Sequence, residues 1–148
     1  MDSNEARTAL LGVDAARARL AQVSDCPPWR HAAFGGIMAL FVGGVTLPAP
    51  WPMAATVVGL VAVAIVAHGD RRRTGMFVNG YRRGATLGVT AALLAVLFVL
   101  VAIGLRLRID DGATLAKVAL AAATFAIATG FSVVWQRVYV RELTGTAA

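Results

Sequence analysis

The chain has a single cysteine, Cys26, among its 148 residues. One thiol can form neither an internal disulfide nor a thiolate metal cluster, so a disulfide-stapled or zinc-ribbon architecture is excluded. Charge is the next thing in short supply. Asp, Glu, Lys and Arg make up 15% of the sequence, against about 25% in a typical soluble domain. What charge there is stands in clusters: none lies between Arg30 and Asp70, between Arg83 and Arg106, or between Lys117 and Arg137. Carboxylates are therefore missing from every long apolar run. A proton-coupled transporter needs a group that changes charge inside the membrane, and that chemistry has no candidate in these runs.

Apolar residues make up 58% of the chain, and runs this long in so short a chain cannot all be buried in one another. About 20 helical residues cross the roughly 30 Å hydrocarbon core of a bilayer. Four spans are predicted, at about 30–47, 51–68, 84–105 and 114–136, the third being the most apolar. Pro48-Ala49-Pro50 makes an uncharged turn between the first two. Trp51-Pro52 then places proline in the first turn of a helix, where its missing amide is no loss. Gly69 to Arg83 forms a basic loop, and Arg106 to Gly112 a polar turn. The expected fold is all-α: an integral membrane four-helix bundle over residues 29–137, preceded by an N-terminal cytoplasmic or interfacial helix within 1–28 and followed by a short tail, 138–148.

In the N-terminal stretch Ser3 suits an N-cap, Glu5 stands in the first turn, and Ala6, Leu10, Val13, Ala16 and Leu20 fall on one side at helical spacing. Such a helix either lies on a membrane surface or docks a partner, or is an ordinary solvated helix resting on the bundle. Cys26-Pro27-Pro28 ends it, because proline lacks an amide and restricts the residue before it. No short apolar core with a small-residue cleavage site precedes the first span, so the N-terminus is expected to be retained.

Arg7, Arg17, Arg19, Arg30, the arginines of the middle loop, Arg137 and Arg141 fall on one side of the predicted spans; Arg106, Arg108 and Lys117 fall on the other. An excess of Lys and Arg marks the cytoplasmic side, so both termini are expected in the cytoplasm. Trp29, Trp51, Tyr81, Trp135 and Tyr139 sit at span ends, where amphipathic rings prefer the interface. These flanks account for the net charge of +6. No basic stripe interleaved with aromatics appears on a soluble segment, so nucleic acid is not expected as a partner.

Gly35, Ala39 and Gly43 recur every four residues, as do Ala122, Ala126 and Gly130. Small residues at this period let helices approach closely, either within the chain or between subunits of a homo-oligomer. No nucleophile–base pair or metal-ligand cluster is visible, and the chain is expected to be neither an enzyme nor a binder of cofactor or metal. His31 and His68 stand at neighbouring ends of the first hairpin. A shared site there competes with two separate interfacial side chains, His68 being well placed at a helix C-terminus. Lys117 is expected to snorkel to the headgroups. Thr56, Thr86, Thr90, Thr124, Thr129 and Ser132 either line a polar path or bond to the carbonyl one turn earlier.

The middle loop, GDRRRTGMFVNGYRRG, is the most distinctive stretch. Its Arg71, Arg72, Arg73, Phe77, Tyr81, Arg82 and Arg83 are the candidate partner- or lipid-binding residues: the apolar part enters the headgroup layer while the arginines hold anionic phosphates. The same composition suits a docking surface for a cytosolic protein, or a positive-inside anchor alone. The run TGMFVNGYRRG, with Pro28-Trp29 ahead of the first span, resembles small four-span membrane proteins of high-GC bacteria. That resemblance covers mainly this loop and the general layout. It implies a bacterial inner-membrane location and no particular activity. The favoured expectation is a non-enzymatic accessory or regulatory membrane protein that engages a partner protein, or anionic lipid at the cytoplasmic face. The competing expectation is a small oligomeric channel or transporter without an intramembrane carboxylate.

Overall fold

The computed structural model describes residues 5, 7, 8, 10–12, 15, 27–74, 84–110 and 112–143. Its long helices are α1 (Pro28–Val45), α2 (Trp51–Thr74), α3 (Ala85–Arg108) and α4 (Thr114–Leu143), and no strand occurs among the described residues. In the N-terminal stretch Glu5, Arg7, Thr8, Leu10, Leu11, Gly12 and Ala15 are helical and exposed; the rest of the helix expected there lies outside the described residues.

Local chemistry sets the helix ends. Pro28 opens α1 at a position where the missing amide breaks no helical bond. α1 closes at Thr46, whose backbone N–H and side-chain hydroxyl both bond the Gly43 carbonyl, the hydroxyl at 2.7 Å. Pro48 and Pro50 prevent further helix; the Pro48 carbonyl then accepts the Trp51 amide that opens α2, and the Pro50 carbonyl accepts those of Met53 and Ala54. α2 and α4 both continue past their apolar stretches, α2 through Asp70, Arg71 and Arg72, and α4 through Arg137 and Arg141.

Trp51–Arg72, Ala85–Arg108 and Thr114–Glu142 are long and apolar enough to cross a membrane. α1 does not reach the same measure. Its 18 residues rise about 27 Å, and they include Arg30, His31 and the glycine pairs Gly35-Gly36 and Gly43-Gly44.

α1 is nevertheless the central element. It packs along α4, with α2 and α3 also against it, and α3 packs on α4 as well. α2 rests mainly on α1, so Met53, Val57, Val58, Leu60, Val61 and Ile65 all point outward. The arrangement is a three-helix core, α1/α3/α4, with α2 strapped to one side. Lipid tails are as apolar as leucine, so an outward apolar face carries no penalty in a bilayer.

The apolar core lies toward the Pro48 end. Val42, Leu100 and Leu120 are buried there, with Val96, Leu97, Val101, Leu107 and Ile127 packed around them. Small residues set the helix separations. A Cβ on Gly104 would sit 3.5 Å from the Val42 carbonyl and the Thr46 methyl, and one on Gly44 would meet the Ala55 Cβ at 2.5 Å. Gly35 is the tightest approach: a Cβ there would collide with the Thr129 hydroxyl and lie 2.8 Å from the Phe125 carbonyl. Gly43 faces Ala121 in the same seam.

The first small-residue stripe thus turns Gly35 and Gly43 to α4, with Ala39 half-buried between them. The second does not answer it. α4 meets the core with Leu120, Thr124 and Ala128, all buried, and meets α1 with Ala121 and Thr129. Ala122, Ala126 and Gly130 lie on the adjacent, exposed face, and open space surrounds Gly130. Tyr139, near the end of α4, is 4% exposed and stacked on Trp135, with ring centroids 5.2 Å apart.

Candidate functional site

α1 and α3 begin, and α2 and α4 finish, at the same end of the molecule, and side chains link the helices there. Arg30 Nε lies 2.7 Å from Asp70 Oδ2, joining α1 to α2, with the aspartate side chain only 17% exposed. His31 Nδ1 lies 2.8 Å from Ser132 Oγ, joining α1 to α4 across 101 residues of sequence. Gln136, one turn beyond Ser132, lines the same groove as His31.

The third link closes α3 onto α4. The first amides of any helix have no intrahelical acceptor, and Gly84 at the N-cap of α3 has no side chain to supply one. Glu142 supplies it from α4: its Oε1 accepts the N–H of Ala85 and, at 3.3 Å, that of Thr86. Gly84 has φ +157°, and a Cβ on it would lie 2.6 Å from the same carboxylate oxygen. Glycine is needed there both for the backbone conformation and for the space the carboxylate occupies. A carboxylate at this position also meets the positive end of the helix dipole.

Around these links lie the cations. Arg71 and Arg72 in α2, and Arg137 and Arg141 in α4, are exposed. Beside them an open groove of about 420 Å³ is lined by His31, Val133, Gln136, Arg137, Val140 and Arg141. Of the loop residues singled out from sequence, Arg71 and Arg72 belong to this end and Arg73 to the last turn of α2. Phe77, Tyr81, Arg82 and Arg83 lie outside the described residues.

The hydroxyls divide into two groups. Thr56, Thr90 and Thr124 donate to the carbonyls of Pro52, Thr86 and Leu120, one turn earlier, at 2.9, 3.1 and 2.7 Å. Ser132 reaches across to α1 instead. The Thr86 and Thr129 hydroxyls are buried without a hydrogen-bond partner among the described residues, Thr129 being pressed against Gly35. The two histidines also separate in role: His31 turns to α4, whereas His68 is exposed on α2. Asp110 is used locally, accepting the Gly112 N–H at 3.0 Å.

The His31–Ser132 pair and the Glu142 cap were not foreseen from sequence. A faint signal existed for the first, since Ser132 and Gln136 are polar, four residues apart, and inside an otherwise apolar run. The pair has the composition of a base and a nucleophile. Ser132, however, lies inside α4, where the surrounding amides are committed to helical bonds, so α4 has no free amide to offer the position an oxyanion would occupy.

Helices long and apolar enough to cross a bilayer, linked at one end by charged and polar contacts, define a helical membrane protein. Comparison with protein-family models, curated proteins and solved structures finds no match.

Proposed function

We propose that the protein crosses a bacterial inner membrane four times, with both termini in the cytoplasm. In this reading it acts as a non-enzymatic accessory or regulatory protein whose basic end engages anionic lipid or a partner protein. One observation carries the reading: exposed Arg71, Arg72, Arg137 and Arg141 lie at the end where polar links hold the helices together. Rigidly presented cations bind anionic surfaces with less ordering cost than cations on loose chain. The positive-inside tendency supports assigning this end to the cytoplasm. α1 as a fourth span is supported by its level. Arg30 meets Asp70 at one end and Thr46 packs beneath Gly104 at the other, so α1 runs through the same depth as its more apolar neighbours.

The exposed face of Ala122, Ala126 and Gly130 favours a second reading, a small oligomeric channel or transporter in which these residues join subunits. Native mass spectrometry of the protein extracted with its surrounding lipid separates the two. The accessory reading expects a stoichiometric second protein or bound anionic lipid, lost when Arg71, Arg72, Arg137 and Arg141 are all changed to Glu in a variant that still inserts. A homo-oligomer carrying neither would replace it with the channel reading.

A further inference from the structure

The groove at the end of α4 has a graded chemistry. Val133, Arg137, Val140 and Arg141 recur at intervals of four, three and one, which places them on one helical face. Val133 lies in the apolar part of α4, whereas Arg141 lies beyond it. The rise from Val133 to Arg141 is about 12 Å, enough to cross the interfacial layer, which is about 5–8 Å thick on each side of the hydrocarbon. Arg137 and Arg141 are one turn apart, about 6 Å along the axis, and both are exposed. Two guanidinium forks at that separation can close on one phosphate. His31, held by Ser132 at 2.8 Å, and Gln136 supply a polar wall. The nearest carboxylate in sequence, Glu142, is turned to the start of α3. The lining therefore carries two fixed positive charges and no negative one.

We propose that this groove holds one anionic phospholipid by its headgroup. Arg137 and Arg141 clasp the phosphate, His31 and Gln136 face the glycerol oxygens, and an acyl chain runs down past Val133. The volume of about 420 Å³ suits a small ligand group, for which sites span about 300–1,000 Å³. Lipid is favoured over an acidic peptide because the groove continues into the apolar part of α4, beside outward-facing Val134. A bilayer delivers lipid to such a place, whereas a peptide would have to enter the interface. The inference rests on the reading that the basic end engages anionic lipid, and it assigns that role to residues of α4 rather than to the middle loop.

The test is native mass spectrometry of the full chain titrated with phosphatidylglycerol or phosphatidylcholine. One phosphatidylglycerol should be retained per chain in preference to phosphatidylcholine. R137Q/R141Q should weaken its retention about thirtyfold. V133F, which fills the groove and leaves every charge in place, should displace the same lipid, and circular dichroism checks that both variants fold. R106Q/R108Q, at exposed positions on the opposite end of the helices, should leave it bound. Retention that survives both R137Q/R141Q and V133F overturns the proposal. If R71Q/R72Q alone abolishes it, the basic end still binds lipid but the groove does not. Absence of any preference for phosphatidylglycerol in the unaltered chain removes both the groove and the lipid reading behind it. An acidic protein that co-purifies and is released by V133F would also overturn it.

Discussion

At the Pro48 end, α1, α3 and α4 meet through Val42, Leu100 and Leu120, and Gly104 lets α3 settle on Thr46. At the Arg30 end the same helices meet through His31 and Ser132, and through Glu142 at the start of α3, while Arg30 and Asp70 bring in α2. Polar side chains exist at the Pro48 end too, but Thr46 and Asp110 bond within their own helix or turn. The contrast follows from the solvent. In lipid, apolar surfaces gain only close contact by meeting one another, and close contact sets how near two helices come more firmly than which residues face each other. Hydrogen bonds and ion pairs name their partners. The end that carries exposed Arg71, Arg72, Arg137 and Arg141 is the end whose helices are placed residue by residue.

The most forceful way to break this comparison is to act where both forces meet, at Gly35. Gly35→Leu should drive α1 from Thr129 and Phe125 and cost about 1–3 kcal/mol or more. Gly130→Leu, introduced into open space, should change stability by about 0.5 kcal/mol or less. Thermal unfolding in lipid nanodiscs compares the two, and equal effects would mean that the seam does not hold the core. Next in size, Glu142→Gln weakens the acceptor at the start of α3 and should cost about 0.5–2 kcal/mol. Hydrogen exchange should then quicken at Ala85 and Thr86 while Gly104, at the packed end, stays protected. Smallest is the His31–Ser132 link. A double-mutant cycle of His31→Ala and Ser132→Ala should return a coupling of about 0.6 kcal/mol, typical of such bonds within membranes. The same cycle on Thr46 and Ser132 should return none.

The positions of the helices were legible because uncharged runs and proline-bearing turns are local signals. The span beginning at Trp51 and the stop at Thr46 come straight from the Pro48-Ala49-Pro50 turn. The asymmetry of charge was legible for the same reason. What could not be read was which way each helix faces. α4 carries small residues on neighbouring faces, Ala121 and Thr129 beside Ala122, Ala126 and Gly130, and Phe125 interrupts the four-residue period of the first set. Sequence spacing singled out Ala122, Ala126 and Gly130, whereas the face that meets α1 lies one residue away, at Ala121 and Thr129. A soluble helix would have betrayed its inner face by polar residues on the outer one, and a helix apolar all round gives no such cue. Nor could spacing reveal a pair separated by 101 residues, as His31 and Ser132 are. Nor does ring composition reveal that Tyr139 stacks on Trp135.

The cap on α3 has a consequence for biosynthesis. Ala85 leaves the ribosome 57 residues ahead of Glu142, so the start of α3 gains this acceptor only when nearly all of α4 has been made. A nascent chain interrupted within α4 would carry the whole of α3 without the fastening at its first turn. The last helix to be made is thus the one that fixes where α3 begins.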